Sequence, residues 1–415
     1  MLGNAIYNIG IRSYRAGVGL AAATGNAKAK LWIDGRRHWR ERMKEQLKGA
    51  GPLLWVHAAS LGEFEQGRPV VEAIRARYPH CRILLTFYSP SGYEVRKNYQ
   101  GADYVYYLPL DTPGNARDFL DIVCPDLVIF IKYEFWYHFL TALSKRQIPV
   151  LLISGIFRPK QLFFKPYGGM FRRLLRQFDW IFVQNQESLD LIRQLGIEKA
   201  SLAGDTRFDR VFALLQEAVE LPGIDSFVNG RKAVIAGSTW EADEQVLADW
   251  WKANAKPDRC LILAPHEIHE SHIKQVQSLF PGALRYSADG QGDVLIIDNI
   301  GLLSLLYRYA RVTFIGGGFG KDGIHNILEP ATYSKPVVFG PVFHKYPEAA
   351  ALLIAGGGVT IADANSLTTV MESLLEDDAS CIKTGNAAGR FVAEHKGATG
   401  KILAYIQEKR FFTKA

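Results

Sequence analysis

The stretch V-H-A-A-S-L-G-E-F-E-Q-G (56–67) puts Ser60, Gly62 and Glu63 on a turn between an apolar run and a helical pattern. Gly62 permits a tight turn, and Ser60 is a good N-cap. Glu63 would then stand at a helix N-terminus, where a carboxylate can take a proton from a hydroxyl. Capping alone would also explain an acid there, but Ser60 already fills that role. A second acid, Glu134 in K-Y-E-F-W, ends another apolar run. Two carboxylates at two strand ends of one sheet face the same crevice. Arg207, in G-D-T-R-F-D (204–209), is suited to neutralising a phosphate leaving group.

The second half carries G-G-G-F-G-K-D-G (316–323) after an apolar run. Gly318, Gly320 and Gly323 match the dinucleotide spacing, but P-V-V-F-G-P-V (336–342) lacks the acid that reading requires. Gly320-Lys321-Asp322 is not a P-loop ending either. What remains is a backbone that an anion can approach closely. In I-H-N-I-L-E-P-A (324–331), Glu329 could accept two ribose hydroxyls; a first-turn cap is the plainer alternative, but the glycines beside it favour the ligand reading. His266, His269 and His272 recur every third residue and drift around a helix, so no metal is expected on them. His266, directly after Pro265 at a strand end, suits contact with a phosphate or a base.

These residues need strand ends to hold them. Runs at 53–59, 82–89, 104–110, 127–133, 149–155 and 180–185 read as buried parallel strands, with helical patterns such as 65–79 and 135–147 between them. The Pro/Gly/Asp/Asn-bearing stretch 217–232 reads as a linker. Strand patterns restart at 233–238, 260–265, 294–298, 312–318, 336–341 and 358–361, and helical patterns at 366–376 and 386–410 close the chain. Two doubly wound α/β domains follow, with ligands in a cleft at the carboxyl ends of their strands. A length of 415 residues, 48% hydrophobic, fits two domains and excludes disorder. Four scattered cysteines exclude a disulfide scaffold and suit a reducing compartment.

The net charge of +7 is concentrated at one end. Residues 1–50 hold ten Lys/Arg against three acids, a surplus equal to that of the whole chain. A neutral body with a basic leader argues against a nucleic-acid binder and for an anionic surface met by the N-terminus. No run of 18 apolar residues exists, so the leader is expected to lie in a bilayer interface and not to cross it.

Several of these motifs together resemble the bacterial 3-deoxy-D-manno-octulosonic acid (Kdo) transferases of lipid A assembly. They are H-A-A-S-L-G-E (57–63), E-F-W (134–136), G-D-T-R-F-D (204–209), A-G-S-T-W-E-A-D-E (236–244), A-P-H (264–266), N-I-G-L-L-S-L-L-Y (299–307), F-I-G-G-G-F (314–319) and H-N-I-L-E-P-A (325–331). The resemblance implies a GT-B fold of two Rossmann-like domains. It implies inverting transfer of Kdo from CMP-Kdo to a tetraacyl lipid A precursor at the cytoplasmic side of the inner membrane, without metal or cofactor. Glu63 falls on the position of the proton acceptor; Glu134 and Arg207 fall on positions assigned to transition-state stabilisation. Pro265, His266, Ile300, Gly301, Leu302, Asn326, Ile327, Leu328 and Glu329 fall on CMP-contacting segments. The family commonly has Lys where this chain has Arg207, and Met-Gly-Glu at 300–302. The expected division is a membrane-associating leader (1–50), an acceptor domain (51–218), a donor domain (231–390) and a terminal helix (391–415). A nucleotide-sugar transferase or epimerase with another donor, and a non-enzymatic glycolipid-binding module, are the competing readings.

Overall fold

The computed structural model describes residues 2–216, 220–288 and 290–412. The chain forms two compact units: Met1–Asp209 together with Gly397–Ala415, and Arg210–Lys396.

The first unit is built on β1 (Leu53–Ala58), β2 (Arg82–Phe87), β3 (Tyr104–Tyr107), β4 (Leu127–Ile131), β5 (Val150–Gly155), β6 (Trp180–Val183) and β7 (Ala200–Leu202). They form one parallel sheet in the order β3-β2-β1-β4-β5-β6-β7. Every residue of β1, β4 and β5 is buried, because helices cover both faces of a parallel sheet. One face packs Trp55, Phe119, Phe130 and Phe139; the other packs Val56, Phe64, Val70 and Ile129. The strand order reverses direction between β1 and β4. That switch point is where ligands bind in open α/β sheets.

The second unit repeats the plan with β8 (Lys232–Thr239), β9 (Arg259–Pro265), β10 (Leu284–Arg285), β11 (Val294–Ile296), β12 (Val312–Ile315), β13 (Val337–Phe339) and β14 (Gly358–Thr360). The order is β10-β11-β9-β8-β12-β13-β14, with the switch between β8 and β12.

Three expectations about chain division change. Residues 1–50 are not a detached leader: helices Leu2–Ala23, Ala27–Asp34 and Trp39–Gln46 belong to the first unit. Trp39 and Met43 are buried in its core, and Tyr7 donates a hydrogen bond to the buried Asp111. The linker expected at 217–232 belongs to the second unit, since Leu221 and Ile224 are buried and Ile224–Val228 is helical; residues 217–219 lie outside the described ones. The unit boundary falls earlier, at Asp209. The terminal helix expected over 391–415 is two helices, Asp378–His395 and Ala398–Glu408, broken at Gly397 with φ +109°. The second of them covers the first unit's sheet, with Ala398, Ile402 and Ile406 fully buried beside Val70, Ile129 and Phe182.

Candidate active site

In the first unit, β1 ends at Ala58 and helix Leu61–Arg77 begins two residues after Ala59. Glu63 closes a capping box: the Ser60 N–H donates to its Oε2 at 3.1 Å. Glu63 therefore shares the capping of this helix with Ser60. Glu63 is half-buried, and its carboxyl is pushed above the usual carboxylate range. Burial is the main cause and the negative charge of Glu134 the second; His57 and Lys132 oppose them.

Glu134 follows β4, the strand beside β1 across the switch point. It is buried, with Oε2 2.8 Å from His57 Nε2, and it accepts from the Trp136 indole N–H. His57 Nδ1 in turn lies 2.9 Å from the Thr86 hydroxyl, to which Trp55 also donates. Glu134 is thus held rigidly from behind by β1 and β2. Lys132 stands between β4 and Glu134 with φ +71°, an unusual backbone for a side chain of its size. Its ammonium is pushed below the usual lysine range, first by burial, with Arg207 adding to the effect and Glu63 opposing it. Arg207 opens helix Thr206–Ala213, and its fork grips Asp205, Nε at 2.9 Å and a terminal nitrogen at 2.7 Å.

Of the residues singled out in the sequence, Glu63 and Glu134 act on each other, and Lys132 joins Glu63 to Arg207 in one electrostatic field. His57, Lys132, Asp205 and Trp136 complete it and were not singled out there. A histidine inside the otherwise apolar run L-L-W-V-H-A-A and a lysine at a strand end were the available signals.

In the second unit, Pro265 ends β9 and is buried, while His266 is exposed. His266 stacks between Trp240 and His325, with ring centroids 4.6 and 4.4 Å away. The Trp240 indole N–H donates to His325 Nε2 at 2.9 Å. Burial pushes His325 down to about 4, so this ring is neutral near pH 7. Ile300 is 88% exposed and Gly301 has φ +102°, so 300–302 is an open turn with only Leu302 partly covered. Asn326 and Glu329 share a hydrogen bond of 2.9 Å. Burial raises the Glu329 carboxyl, against the pull of Arg210 and Asn326. Ile327 and Leu328 put their side chains into the core, leaving only their backbone to a ligand. The helix expected after the glycine loop is short, Leu328–Thr332.

The glycine loop serves a purpose the sequence did not reveal. The Gly317 N–H donates to Asp243 Oδ2 at 2.7 Å, so an anion at this loop is the protein's own carboxylate. The glycines themselves allow backbones to meet: a Cβ on Gly318 would lie 2.5 Å from the Gly340 nitrogen. Gly318→Ala is expected to cost about 1–3 kcal/mol from overpacking. A thermal melt should show the second unit losing roughly 2–4 °C per kcal/mol; an unchanged melt would contradict this packing account.

The three histidines take separate partners. His266 joins the ring stack, His269 caps helix Glu270–Leu279, and buried His272 pairs with Glu244 at 3.1 Å. Among the described residues, no three His, Cys, Asp or Glu side chains gather as a metal would require.

The chain is similar to known proteins in sequence and in fold. Residues 37–210 match the family described as 3-Deoxy-D-manno-octulosonic-acid transferase (kdotransferase). The 3-deoxy-D-manno-octulosonic acid transferase of Aquifex aeolicus is 27% identical over 80% of this chain and 88% of its own length. That of Rickettsia felis is 31% identical over 80% of this chain and 73% of its own. The chain belongs to the Kdo transferase family. It is a glycosyltransferase that transfers Kdo in lipopolysaccharide biosynthesis. Among solved structures, UDP-GlcNAc 2-epimerase from Neisseria meningitidis matches with TM-score 0.61, 16% identity, and coverage of 86% of this chain and all of that one. MurG of Acinetobacter baumannii matches with TM-score 0.54 and 13% identity over 86% of this chain and all of that one. Both likenesses are of fold and place this Kdo transferase in the GT-B class.

Proposed function

We propose that this Kdo transferase takes Kdo from CMP-Kdo and attaches it, with inversion, to a primary hydroxyl of a tetraacyl lipid A precursor. The observation that carries the mechanism is the raised carboxyl of Glu63 at the carboxyl end of β1. A base is most effective when its pKa approaches the working pH, and burial beside Glu134 moves Glu63 in that direction. One Glu63 oxygen is held by the Ser60 cap, which fixes the other for the acceptor hydroxyl. As the new bond forms, the hydroxyl proton passes to Glu63. The sugar leaves CMP through a state with oxocarbenium character, and negative charge grows on the departing phosphate. Arg207, oriented by Asp205, supplies positive charge for it. Glu134, fixed by His57, supplies negative charge to the electron-poor sugar carbon. The donor is assigned to the second unit, at Pro265–His266, Ile300–Leu302 and Asn326–Glu329, and the acceptor to the first. No metal or cofactor enters this scheme.

The membrane side of the reading comes from helix Leu2–Ala23. Ile6, Ile9 and Leu20 are 62, 64 and 70% exposed on its outer face, and Arg12 and Arg15 of the same helix are exposed too. No described helix is long and apolar enough to cross a bilayer. The helix is assigned to the bilayer interface on the cytoplasmic side of the inner membrane, where enzyme and lipid acceptor share one surface.

Mass spectrometry of a lipid A precursor incubated with CMP-Kdo and the full-length enzyme tests the reaction. A product heavier by Kdo supports it; no product from CMP-Kdo, with turnover of a UDP- or ADP-linked sugar, overturns it. A pH prediction follows from the carboxylate pair. The rate should rise with pH as Glu63 deprotonates, with a midpoint above the ordinary value of about 4.3. Glu134→Gln removes a neighbouring negative charge, so the acid limb of the residual rate should move to lower pH. A limb that stays in place would show that Glu134 does not act on the base.

A further inference from the structure

We infer that the cavity beside the first helix of the chain binds the phosphomonoester head group of a membrane lipid. This rests on the assignment of helix Leu2–Ala23 to a bilayer interface. The cavity holds about 700 Å³ and lies wholly within the first unit. Arg15, Arg36, Arg37 and Arg40 line it, with Glu41 as the carboxylate among its walls. One end is formed by Thr112 and Asn115, at the start of helix Pro113–Val123. That helix directs its positive dipole end to the same space.

Arg36 decides the chemistry. Its guanidinium donates to the carbonyl oxygens of Leu108, Trp32 and Tyr88 at 2.8, 2.9 and 2.7 Å. It lies over the Trp32 ring at 3.9 Å, and over Tyr88 and Tyr107 at 4.9 Å. No carboxylate among the described residues pairs with it. Burial lowers it to about 10, so it remains charged near pH 7. An arginine offers five N–H groups, and the three carbonyls leave donors on both terminal nitrogens. A buried cation with unused donors is costly unless an anion completes it. Arg40 is already committed to Asp118 and Asn115, and Arg37 has only a surface pairing with Asp34. Arg15 has no ion pair among the described residues. The surplus is therefore real and gathered at one cavity.

A phosphomonoester fits because it offers three acceptor oxygens and up to two negative charges to forked donors. The lipid source is favoured by position. Arg15 and Gly19 of the cavity wall sit on the helix whose other face exposes Ile6, Ile9 and Leu20. Tyr14, half-exposed on that helix, rests its ring against Trp32 of the same wall and against Tyr88 behind it.

The test compares full-length protein on phosphatidylcholine vesicles containing either phosphatidic acid, a monoester, or phosphatidylglycerol, a diester, at matched surface potential. Binding to phosphatidic acid should be tighter on the order of tenfold. The preference should vanish in Arg36→Lys, which keeps a cation but loses the fork. Should Arg36→Lys fail to fold by circular dichroism, the surface pair Arg15→Gln with Arg37→Gln gives the same reading and should also narrow the preference. Equal binding to the two vesicles, or an undiminished preference in the folded variants, overturns the cavity assignment while leaving the interfacial helix in place. Failure to bind any anionic vesicle removes both. In the other arm, inorganic phosphate is added to protein on phosphatidic acid vesicles. Loss of the preference at millimolar phosphate would assign the site to a free phosphate and overturn the lipid source; persistence of the preference supports it.

Discussion

Glu63→Gln should lower turnover of Kdo transfer by about two or more orders of magnitude, the usual worth of a positioned general base. The substitution is well placed to separate chemistry from folding. Glutamine serves a capping box as glutamate does, so the Ser60 N–H keeps its acceptor and helix Leu61–Arg77 keeps its start. The side-chain volume is unchanged, and the neighbouring Glu134 loses a repulsive partner instead of gaining one. CMP should still raise the melting temperature, because the residues assigned to it lie in the second unit. Single-turnover kinetics with saturating donor and acceptor is the direct measurement. A variant turning over within a few-fold of the parent would remove Glu63 from the mechanism. A variant that also loses its fold would show that the cap, and not the base, is the residue's main work.

The second large effect concerns the bilayer. Each exposed isoleucine of the first helix contributes roughly 1.5–3 kcal/mol when its side chain leaves water. Ile6→Ser combined with Ile9→Ser should therefore weaken binding to anionic vesicles on the order of a hundredfold. Both side chains point away from the unit, so Tyr7 keeps Asp111 and Asn8 keeps His138 at 2.6 Å. That makes the pair a sharper instrument than removing the helix, which would also uncover Asp111. The basic residues add a part that salt erases, since the Debye length falls from about 30 Å at 0.01 M to about 3 Å at 1 M. Parent protein in high salt should retain the isoleucine part, and the double variant should retain little. Equal vesicle binding by parent and variant would move the membrane contact to another surface.

The sheets were legible because buried parallel strands are written as nearly continuous apolar runs, and LLWVHA, LVIFI and VLLISG are such runs. The edge strands β7 and β10 were not, being three and two residues long with mixed polarity. Glu63 and Glu134 were legible as acids within a few residues of the ends of β1 and β4. Their partners were hidden because adjacency came from pairing: His57 stands opposite Phe130 only once β1 and β4 register. Asp243 was quoted within a motif, yet its bond to the Gly317 N–H spans 74 residues and has no local signature. Chain division misled for a related reason. Pro, Gly and Asn at 220–230 mark turns, and turns occur inside units as readily as between them. The basic N-terminal residues read as one membrane-associating leader, whereas Arg36 and Arg40 are tied down by backbone carbonyls, Asp118 and Asn115.

Because the chain leaves the first unit at Asp209 and rejoins it at Gly397, the second unit is an insertion into the first. Synthesis from the N-terminus therefore meets the two units out of order. When Asp209 has been made, the sheet of the first unit still lacks Ala398, Ile402 and Ile406, whose place beside Val70 and Ile129 stays open to solvent. The insertion is continuous in sequence, so it can complete its core while the first unit waits. Domains usually finish folding from the N-terminal end; here the later-made unit closes first. Expressed alone, residues 210–396 should yield a folded protein. Residues 1–209 should need the segment 397–415 supplied, even as a separate peptide, before they stop exposing the apolar face of their own sheet.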